Sequence, residues 1–367
     1  MNWSRPYTER IDSRNLQEIL EYAHGKGSTD IHLIVDSKPV IRVHKSLEDI
    51  EDAEMITPEI SKILADSCMS ESHKKILEEA GEVDFSFSVG DFGRYRANIF
   101  RQKGNYSIAL RAIPVDIPNF DNLKLPPAIR SFANKHMGLV LVTGATGSGK
   151  STTLASLLDI INQERRAHII TIEDPIEYVH VHKKCRVNQR EIGGDTKSFA
   201  TALRASLRED PDIILVGEMR DPETIATALT AAETGHLVFS TLHTIGAAKT
   251  IDRIIDSFPT GQQNQVRSQL ATVLNGVVSQ QLIPKMDGTG ITAACEVMIA
   301  NGAIRNLIRE NKPHQINSII QTSHDTGMQS MDYHLSQLVQ QGMISKEAAL
   351  ERAQDEQSLS NLLMPRW

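Results

Sequence analysis

The pattern of apolar and polar positions changes along the chain. In the first third, segments such as "VDFSFSV" (83–89) alternate apolar and polar residues, which predicts strands with one buried face. From residue 138 onward the apolar runs "GLVLVT", "HIITIE", "DIILVG" and "LVFSTL" are nearly continuous and alternate with helical patterns. Such runs are typical of parallel strands covered by helices on both faces. The pattern therefore predicts a mixed α/β unit followed by a parallel α/β unit.

The first unit is predicted to span residues 1–115. Its expected elements are a helix over 16–24, two strands within "STDIHLIVDSKPVIRVH" (28–44), helices over 57–69 and 71–81, and further strands over 83–114. Gly81 closes the third helix, and turns are expected near Gly90 to Gly93 and at Gly104 to Asn105. These elements do not resemble the parallel pattern that follows, which predicts a separate domain.

A proline-rich segment separates the two units. "PVDIPNFDNLKLPPAI" (114–129) carries four prolines with little periodicity, and we predict a linker over 116–135. The core is then expected over 136–300, with a helix from Pro222 to Thr234 capped by Asp221 and a hairpin of "QQLIP" with "ITAACEVMI" near its end. Residues 301–367 show only helical and loop patterns. A helical C-terminal region is therefore predicted.

Composition and charge restrict the function classes. The cysteines Cys68, Cys185 and Cys295 are scattered, which argues against a disulfide framework or a zinc ribbon and favours a reducing cytoplasm. With 39 basic and 46 acidic side chains the formal net charge is −7, so a nucleic-acid partner is not expected. Neither the first ten residues nor any later window has the apolar length of a signal peptide or spanning helix. We expect a soluble protein that can dock on a membrane partner.

A phosphate-binding loop is the most specific motif. "GATGSGKS" fits G-x-x-x-x-G-K-S after a predicted strand and before a predicted helix, which is the context that the motif requires. The predicted nucleotide-binding residues are Gly144, Ala145, Thr146, Gly147, Ser148, Gly149, Lys150, Ser151 and Thr152. Backbone N–H groups and the helix N-terminus would hold phosphates, Lys150 would reach the β- and γ-phosphates, and Ser151 would ligate Mg²⁺. ATP and Mg²⁺ are the predicted ligands.

Acidic side chains follow two other predicted strands. Glu218 ends "DIILVGE" where a Walker-B acid is expected, although Gly217 precedes it instead of aspartate. We predict that Glu218 orients or deprotonates the attacking water, the alternative being a cap on the next helix. Glu173, with Asp174 and Glu177 behind it, follows "HIITI". Glu173 could hold Mg²⁺-bound water or face solvent from a loop.

Histidines and arginines complete the candidate site. His236 and His243 bracket the strand "LVFSTL", where a histidine can sense the γ-phosphate or serve only structure. In the first unit, strands carry Arg94, Arg96, Arg101 and Arg111 without a phosphate-binding loop of their own. Arginines of this kind either act in trans on a transferring phosphoryl group or are solvated edge-strand charges.

The combination of motifs resembles the secretion and pilus motor ATPases. The resemblance rests on "GATGSGKSTT", "ITIEDPIEY", "VNQREIG", "LREDPDIILVGEMRD", "ETGHLVFSTLHT" and "AIRNLIRE", and it extends from about Ser28 to the final helices. It implies a RecA-like P-loop ATPase domain, an N-terminal PAS-like domain and a hexameric ring. It also assigns Glu173 to the Asp box, Glu218 to Walker B, His236 and His243 to the His box, and Arg96 and Arg111 to the neighbour's nucleotide. After the match "STDIHL", the turn in "VHKSL" lacks the family's glycine.

The family resemblance also separates retraction from extension. Extension and type II secretion members carry a four-cysteine metal insertion that three scattered cysteines cannot supply. The retraction-type signature is Ala303, Ile304, Arg305, Asn306, Leu307, Ile308, Arg309 and Glu310. A helix over this signature is expected to bury Ile304, Leu307 and Ile308 and to turn its charged side chains away. The charged side is then expected to engage a partner, the alternative being an ordinary packing helix.

The resemblance implies a hexameric ATPase that drives type IV pilus retraction and twitching motility from the cytoplasmic side of the inner membrane. It implies contact with the membrane platform protein of the pilus and, as an open question, with a paralogous ATPase. The alternatives are a pilus extension or type II secretion ATPase, a RecA-like nucleic-acid motor, and a regulatory nucleotide-binding module. Phosphate release, DNA stimulation and the pilus phenotype of a deletion strain discriminate among them.

Overall fold

The computed structural model describes residues 11–43, 46–89, 93–114 and 116–364. The chain divides into two compact units, residues 1–115 and 116–367. Each unit has its own hydrophobic core, and each is considered by itself below.

The first unit is an antiparallel sheet with helices. Its described helices are α1 (Leu16–Gly25), α2 (Pro58–Cys68) and α3 (Glu71–Ala80). Its described strands are β1 (Asp30–Leu33), β2 (Val40–Val43), β3 (Ser46–Asp49), β4 (Glu82–Val89), β5 (Gly93–Gln102) and β6 (Asn105–Ile113). They pair antiparallel in the order β3-β2-β1-β6-β5-β4. The expected helices and strands are present, and β3 is an additional strand.

Local sequence explains how these elements end. Ser70 and His73 form a capping box at the start of α3, and Gly81 ends the helix at φ 84° as predicted. The turn between β5 and β6 places Lys103 and Gly104 at φ 50° and 82°, which suits the twist of a tight hairpin. The other expected turn, near Gly90 to Gly93, falls mostly on residues 90–92, which lie outside the described residues, as do His44 and Lys45 of "VHKSL".

The second unit is built on a mostly parallel sheet. Its described strands are β7 (Gly138–Thr143), β8 (His168–Glu173), β9 (Arg186–Glu191), β10 (Ile213–Val216), β11 (Leu237–Leu242), β12 (Leu274–Pro284) and β13 (Ile291–Ile299). The order is β13-β12-β7-β11-β10-β8-β9, and β12 with β13 is the antiparallel pair. All four predicted parallel strands and the predicted hairpin are present. Strand β9 was not predicted because its residues are mostly polar, which suits its place at the end of the sheet.

Helices cover both faces of this sheet. The described α-helices are α4 (Pro127–Arg130), α5 (Lys150–Glu164), α6 (Phe199–Ser206), α7 (Pro222–Glu233), α8 (Ala247–Asp256), α9 (Thr260–Val273), α10 (Gly302–Arg309), α11 (Ile316–Thr322), α12 (Met331–Gln340), α13 (Lys346–Leu350) and α14 (Glu356–Leu363). Alternate residues of β7 enter separate cores, with Leu139 and Leu141 in one and Val140 and Val142 in the other. This is the two-faced burial that the continuous apolar runs indicate. In the described part of the chain, no helix has the length and apolarity needed to cross a bilayer.

The segment 116–135 does not behave as a free linker. It contains 3₁₀ turns at Phe120–Leu123 and Ser131–Asn134 on either side of α4. Phe120, Leu125, Ile129 and Phe132 are buried in the core between α5 and the sheet. The prolines interrupt long helices but leave the apolar residues free to pack. The segment is therefore part of the second unit.

Candidate nucleotide-binding and catalytic site

A phosphate-binding loop connects β7 to α5. Gly144, Gly147 and Gly149 have φ values of 142°, 78° and 85°, a region that glycine adopts without steric cost. Gly149 is the N-cap of α5, and Lys150 begins the helix. The loop therefore brings its backbone N–H groups to the positive end of the helix dipole, which is an anion-binding arrangement.

Lys150 is folded against this loop. Its Nζ donates hydrogen bonds to the carbonyl oxygens of Gly144 and Ala145, both at 2.9 Å, and 9% of the residue is exposed. Burial lowers the pKa of Lys150, while the negative charges of Glu218 and Glu177 act in the opposite direction. A cation held by two neutral carbonyls can exchange them for phosphate oxygens at little cost.

Glu218 lies at the carboxyl end of β10 and has both oxygens engaged. Oε2 accepts a hydrogen bond from Arg220 Nε at 2.7 Å, and Oε1 lies 3.1 Å from His243 Nε2. The side chain of Glu218 is 16% exposed. Helix α7 is capped by Asp221, whose side chain accepts from Thr224 N, so Glu218 is not the helix cap of the alternative interpretation.

Gly217 explains why no aspartate precedes Glu218. A β-carbon at this position would lie 3.2 Å from the Ile172 carbonyl oxygen and 3.3 Å from Glu173 Cα. A side chain here would push apart the carboxyl ends of β10 and β8. The glycine therefore allows the two acidic residues Glu173 and Glu218 to follow adjacent strands closely.

Glu173 is held by hydrogen bonds instead of facing solvent from a loop. It accepts from Thr171 Oγ1 at 2.6 Å and Gln189 Nε2 at 3.2 Å on one oxygen, and from Glu177 N at 3.4 Å on the other. Burial raises the pKa of Glu173 and the charge of Glu177 adds to this, although the hydrogen bonds partly offset it. A buried carboxyl group with a raised pKa is a common feature of functional sites.

Gln189, to which the sequence pattern assigns no role, organises the segment after β8. Besides Glu173, its Nε2 donates to the Tyr178 carbonyl at 2.8 Å, and its Oε1 accepts from His180 N at 2.7 Å. The Tyr178 hydroxyl then lies 2.9 Å from Thr152 Oγ1 in α5. The quoted motif "VNQREIG" contains Gln189, but its polar pattern does not reveal that it is a strand of the sheet.

These side chains converge on a cavity of about 490 Å³ at the carboxyl end of the sheet. Its walls include Thr146, Gly147, Ser148, Gly149, Lys150, Ser151 and Thr152 of the loop, together with Glu173, Glu177, Glu218, Arg220 and His243. Gly144 lies beneath the loop instead of lining the cavity, and the Ala145 carbonyl holds Lys150. The structure thus brings together most of the predicted catalytic and binding residues of the second unit.

His236 is not among them. It precedes β11, and its carbonyl oxygen accepts from Gly138 N at the start of β7, so it lies at the amino end of the sheet, away from the P-loop. Its Nδ1 lies 2.9 Å from the carbonyl oxygen of Ala231 in the last turn of α7. The strand pattern does not show which of the two histidines is functional. They lie at opposite ends of β11, and of the two His243 lines the cavity.

A second cavity of about 210 Å³ adjoins the first at the start of α5. Both are lined by Gly149, Thr152 and Leu282. The second is further lined by the aliphatic side chains of Leu123, Leu125 and Ile291. Polar residues line it as well, among them Lys124, Thr153, Gln280 and Lys285.

The residues fit a Mg²⁺ ion that arrives with a nucleotide better than an ion held by protein alone. Among the described residues, no group of three or more His, Cys, Asp and Glu side chains could hold a metal. Mg²⁺ commonly takes one or two protein oxygens and completes its shell with phosphates and water. Ser151 and Glu173 both line the cavity and can supply such oxygens. In the same loop, the buried hydroxyl of Ser148 has no hydrogen-bond partner within the described chain, which a polar ligand or water would satisfy.

In the first unit, Arg96 and Arg111 lie side by side. They are direct partners in the β5–β6 register, so their side chains share one face of the sheet. Arg111 Nε lies 2.8 Å from Asp30 Oδ1, and Arg96 Nη2 lies 3.7 Å from Asp84 Oδ1. Burial raises the pKa of Asp30, but the hydrogen bonds from Arg111 and Thr29 and the charges of Arg111 and Arg42 outweigh it and leave that pKa below its ordinary value. The arginine side chains remain 48% and 72% exposed.

The segment "AIRNLIRE" forms α10 and divides its residues between core and surface. Ile304 and Ile308 are fully buried, and Leu307 packs beside them, as predicted. Arg305 does not turn away as predicted: its Nη1 donates to the carbonyl oxygens of Ala271 and Thr272 at 2.6 and 2.5 Å. The last carbonyls of a helix lack intrahelical partners, and those of α9 attract the guanidinium. Ala303, Asn306, Arg309 and Glu310 are exposed.

A parallel sheet with a phosphate-binding loop, a strand-end glutamate and a histidine beside it defines a P-loop ATPase. Comparison with known proteins gives the family. The model of the type II/IV secretion system protein family matches residues 10–357, and the chain belongs to this family. The predicted two-domain α/β class, with its RecA-like ATPase core, is confirmed by the match of the fold to solved ATPases of the family.

Similar proteins match most of the chain. A twitching motility protein of Neisseria gonorrhoeae is 52% identical over 88% of this chain and 86% of its own. The type IV pilus retraction ATPase PilT of Pseudomonas aeruginosa is 49% identical over 92% of this chain and 98% of its own. The crystal structure of a pilus retraction motor PilT with bound ADP has a TM-score of 0.89 and 53% identity, covering 95% of this chain and 99% of that one.

Proposed function

We propose that the protein is the Mg²⁺-dependent ATPase motor that retracts a type IV pilus, acting as a ring of six identical subunits. The observation that carries the catalytic part is the convergence of Lys150, Glu173, Glu218 and His243 on one cavity beside the phosphate-binding loop. The mechanical part is supported by identity at about half of the aligned positions to a twitching motility protein and to a type IV pilus retraction ATPase, over most of their length.

Binding begins at the loop. The N–H groups at the start of α5 receive the phosphates, and Lys150 exchanges the carbonyls of Gly144 and Ala145 for phosphate oxygens. The smaller cavity, where Leu125 and Leu282 supply apolar surface, accepts the adenine base. Ser151 and Glu173 would hold Mg²⁺, directly or through water, and the ion would supply charge neutralisation for the phosphates.

Glu218 then acts on the attacking water. Arg220 and His243 each hold one of its carboxylate oxygens, which orients the carboxylate toward the cavity. A glutamate fixed in this way positions a water and accepts its proton as the water oxygen bonds to the γ-phosphorus. The bond from that phosphorus to the bridging oxygen breaks, and ADP leaves. His243, at the end of β11, responds to the γ-phosphate and passes its presence to the loop before α8.

The developing negative charge needs a cation from outside the subunit. Arg96 and Arg111 share a face, are exposed, and belong to the first unit, whose sequence has no phosphate-binding motif. In a ring they would act on the nucleotide of the neighbouring subunit, as arginine fingers do.

The exposed residues of α10 are proposed to transmit force. Ile304 and Ile308 anchor the helix, and Arg305 fixes it to α9, so Asn306, Arg309 and Glu310 form a rigid charged surface. This surface engages a neighbouring subunit or the membrane platform protein on the cytoplasmic side of the inner membrane. A paralogous ATPase could share the same platform.

The test is a strain that lacks this protein. We expect it to carry more or longer pili and to lose twitching motility, and the wild-type chain to restore both. The Glu218→Gln chain should bind nucleotide but fail to restore motility. Shorter or absent pili in the deletion strain would contradict retraction and favour an assembly motor, and DNA-stimulated phosphate release would favour a nucleic-acid motor.

A further inference from the structure

Gln280 is a buried amide near the middle of β12. It follows the run "LNGVVS" and is 2% exposed. A buried amide destabilises the fold unless its polar atoms find partners, so such a residue in a core strand points to a specific contact. The parallel pairing of β12 with β7 ends at Ser279 and Thr143, which makes Gln280 the first residue beyond the pairing, beside the phosphate-binding loop.

Its side chain is bonded to the helix that follows the loop. Oε1 of Gln280 accepts a hydrogen bond from Thr153 Oγ1 at 2.8 Å, and both of these buried residues line the smaller cavity. Thr153 is 1% exposed, and its N–H donates to the Gly149 carbonyl at 3.0 Å. The bond therefore ties the first turn of α5 to the sheet. Without it, the hydroxyl of Thr153 could bond to the carbonyl of Gly149 four residues earlier, a contact that often bends a helix.

The same residue lies against both ends of the loop. A β-carbon on Gly144 would come within 2.3 Å of the Gln280 carbonyl oxygen, and one on Gly149 within 2.7 Å of Gln280 Nε2. The loop therefore leaves and rejoins regular structure in contact with one residue of β12. The close approach to a backbone oxygen explains why glycine is needed at Gly144 beyond its positive φ value, whereas at Gly149 a β-carbon would displace the Gln280 amide.

We propose that Gln280 is a positioning residue of the nucleotide site. Its carbonyl and amide support the two glycine ends of the loop, and its bond to Thr153 fixes the first turn of α5, so the phosphate-binding N–H groups converge before nucleotide arrives. This inference rests on the proposed nucleotide binding at the loop. It concerns binding and not the water-activating residues, which follow β10 and β11, whereas β12 pairs with the other edge of β7.

The test is a pair of near-isosteric substitutions, Gln280→Met and Thr153→Val, alone and combined. We expect each to weaken ADP binding about tenfold, equivalent to about 1.4 kcal/mol, because the loop must be ordered at the expense of binding. The KM for ATP should rise similarly, while kcat changes by less than about threefold. The double variant should be no weaker than either single one, because both remove the same hydrogen bond.

Gln281→Met is the matched control. Gln281 is the next residue of β12, its side chain points to the other face, and its Nε2 donates to the Arg352 carbonyl at 3.2 Å. ADP affinity of this variant should equal that of the wild type. Unchanged ADP affinity in a folded Gln280→Met protein, or additive losses in the double variant, would overturn the proposal.

Misfolding of a variant and failure of the proposed function can each be told apart from failure of this inference. If Gln280→Met does not fold, as judged by thermal unfolding, Thr153→Val alone must weaken ADP binding about tenfold, and unchanged affinity then overturns the inference. If the wild-type chain itself binds neither ADP nor ATP, the proposed function fails, whatever the variants do.

Discussion

The two ends of the seven-stranded sheet carry similar polar residues with different tasks. At the amino end, the His168 N–H donates to Asp212 Oδ2 at 2.8 Å, and His236 holds the Ala231 carbonyl. The side chains of Asp212 and His236 thus each form a hydrogen bond with a backbone group. At the carboxyl end, Glu218 instead contacts two other side chains, those of Arg220 and His243. A polar residue at a strand end is therefore informative only when its end of the sheet is known.

Chain direction explains the difference. Parallel strands place all their carboxyl ends together, and the helices that follow begin there, so positive helix termini meet at that end. The loop before α5 lines a cavity at this end, and the close approach at Gly217 brings Glu173 and Glu218 together in its wall. The amino end receives the ends of returning helices, whose carbonyls need donors such as His236.

The largest expected effect is at Glu218. Glu218→Gln keeps the shape and an oxygen for His243 but cannot accept a proton, so kcat should fall by about 10³-fold. ADP affinity should change by less than about twofold, because Lys150 and the loop remain. Phosphate release and ADP titration measure the two quantities. Full turnover in the variant would show that ATP hydrolysis at the carboxyl end of the sheet does not need Glu218 as a base.

A subunit-mixing experiment asks whether one subunit contains the whole site. The double variant Arg96→Ala/Arg111→Ala should lose turnover by about 10²-fold, because it removes donors to the developing charge. If these arginines act on a neighbour, mixed rings with Glu218→Gln subunits should recover part of the activity, since some interfaces regain both groups.

The control for the mixing experiment is Arg101→Ala. Arg101 is exposed on the same strand β5 as Arg96, five residues away, and so faces the other side of the sheet. The Arg101→Ala variant should keep the ATP turnover of the wild type. Recovery that equals the sum of the separately measured variants would mean that the arginines do not act across subunits.

Only part of this site could be predicted from the sequence. Motif spacing and strand context were enough to predict the roles of Gly144, Lys150, Ser151 and Glu218. The contacts of Gln189 and Gln280 were not, because they depend on which strands become neighbours in the order β12-β7-β11-β10-β8-β9. Arg305 was misassigned for the same reason: helical periodicity separates faces but does not show that α9 ends beside one of them.

A matched pair of histidine substitutions tests the comparison of the two ends directly. His243→Ala should lower kcat by about tenfold, because Glu218 loses one of the groups that orient it. His236→Ala should keep its turnover and lose about 1 kcal/mol of stability, because it removes a hydrogen bond to α7. Steady-state turnover and urea unfolding measure the two effects. A comparable loss of turnover in both variants would mean that His236 also serves the site, in the assembled ring.

The smallest expected effect is a pH dependence of stability at Glu173. Because its pKa is raised in the folded state, folding favours the protonated carboxyl group, and this contribution is fully present below the ordinary value of 4.5. It is lost as the pH rises through the raised folded value.

Glu173→Gln stays neutral and keeps an oxygen for Thr171 and Gln189, so it should gain stability relative to the wild type as pH rises from about 4 to about 8. The gain should be on the order of 1 kcal/mol, the usual size of a single-site effect, measured by urea unfolding at each pH. A stability difference that is the same at every pH would mean that the carboxyl group is equally solvated in both states, and that the carboxyl end of the sheet is as open at Glu173 as the amino end is at Asp212.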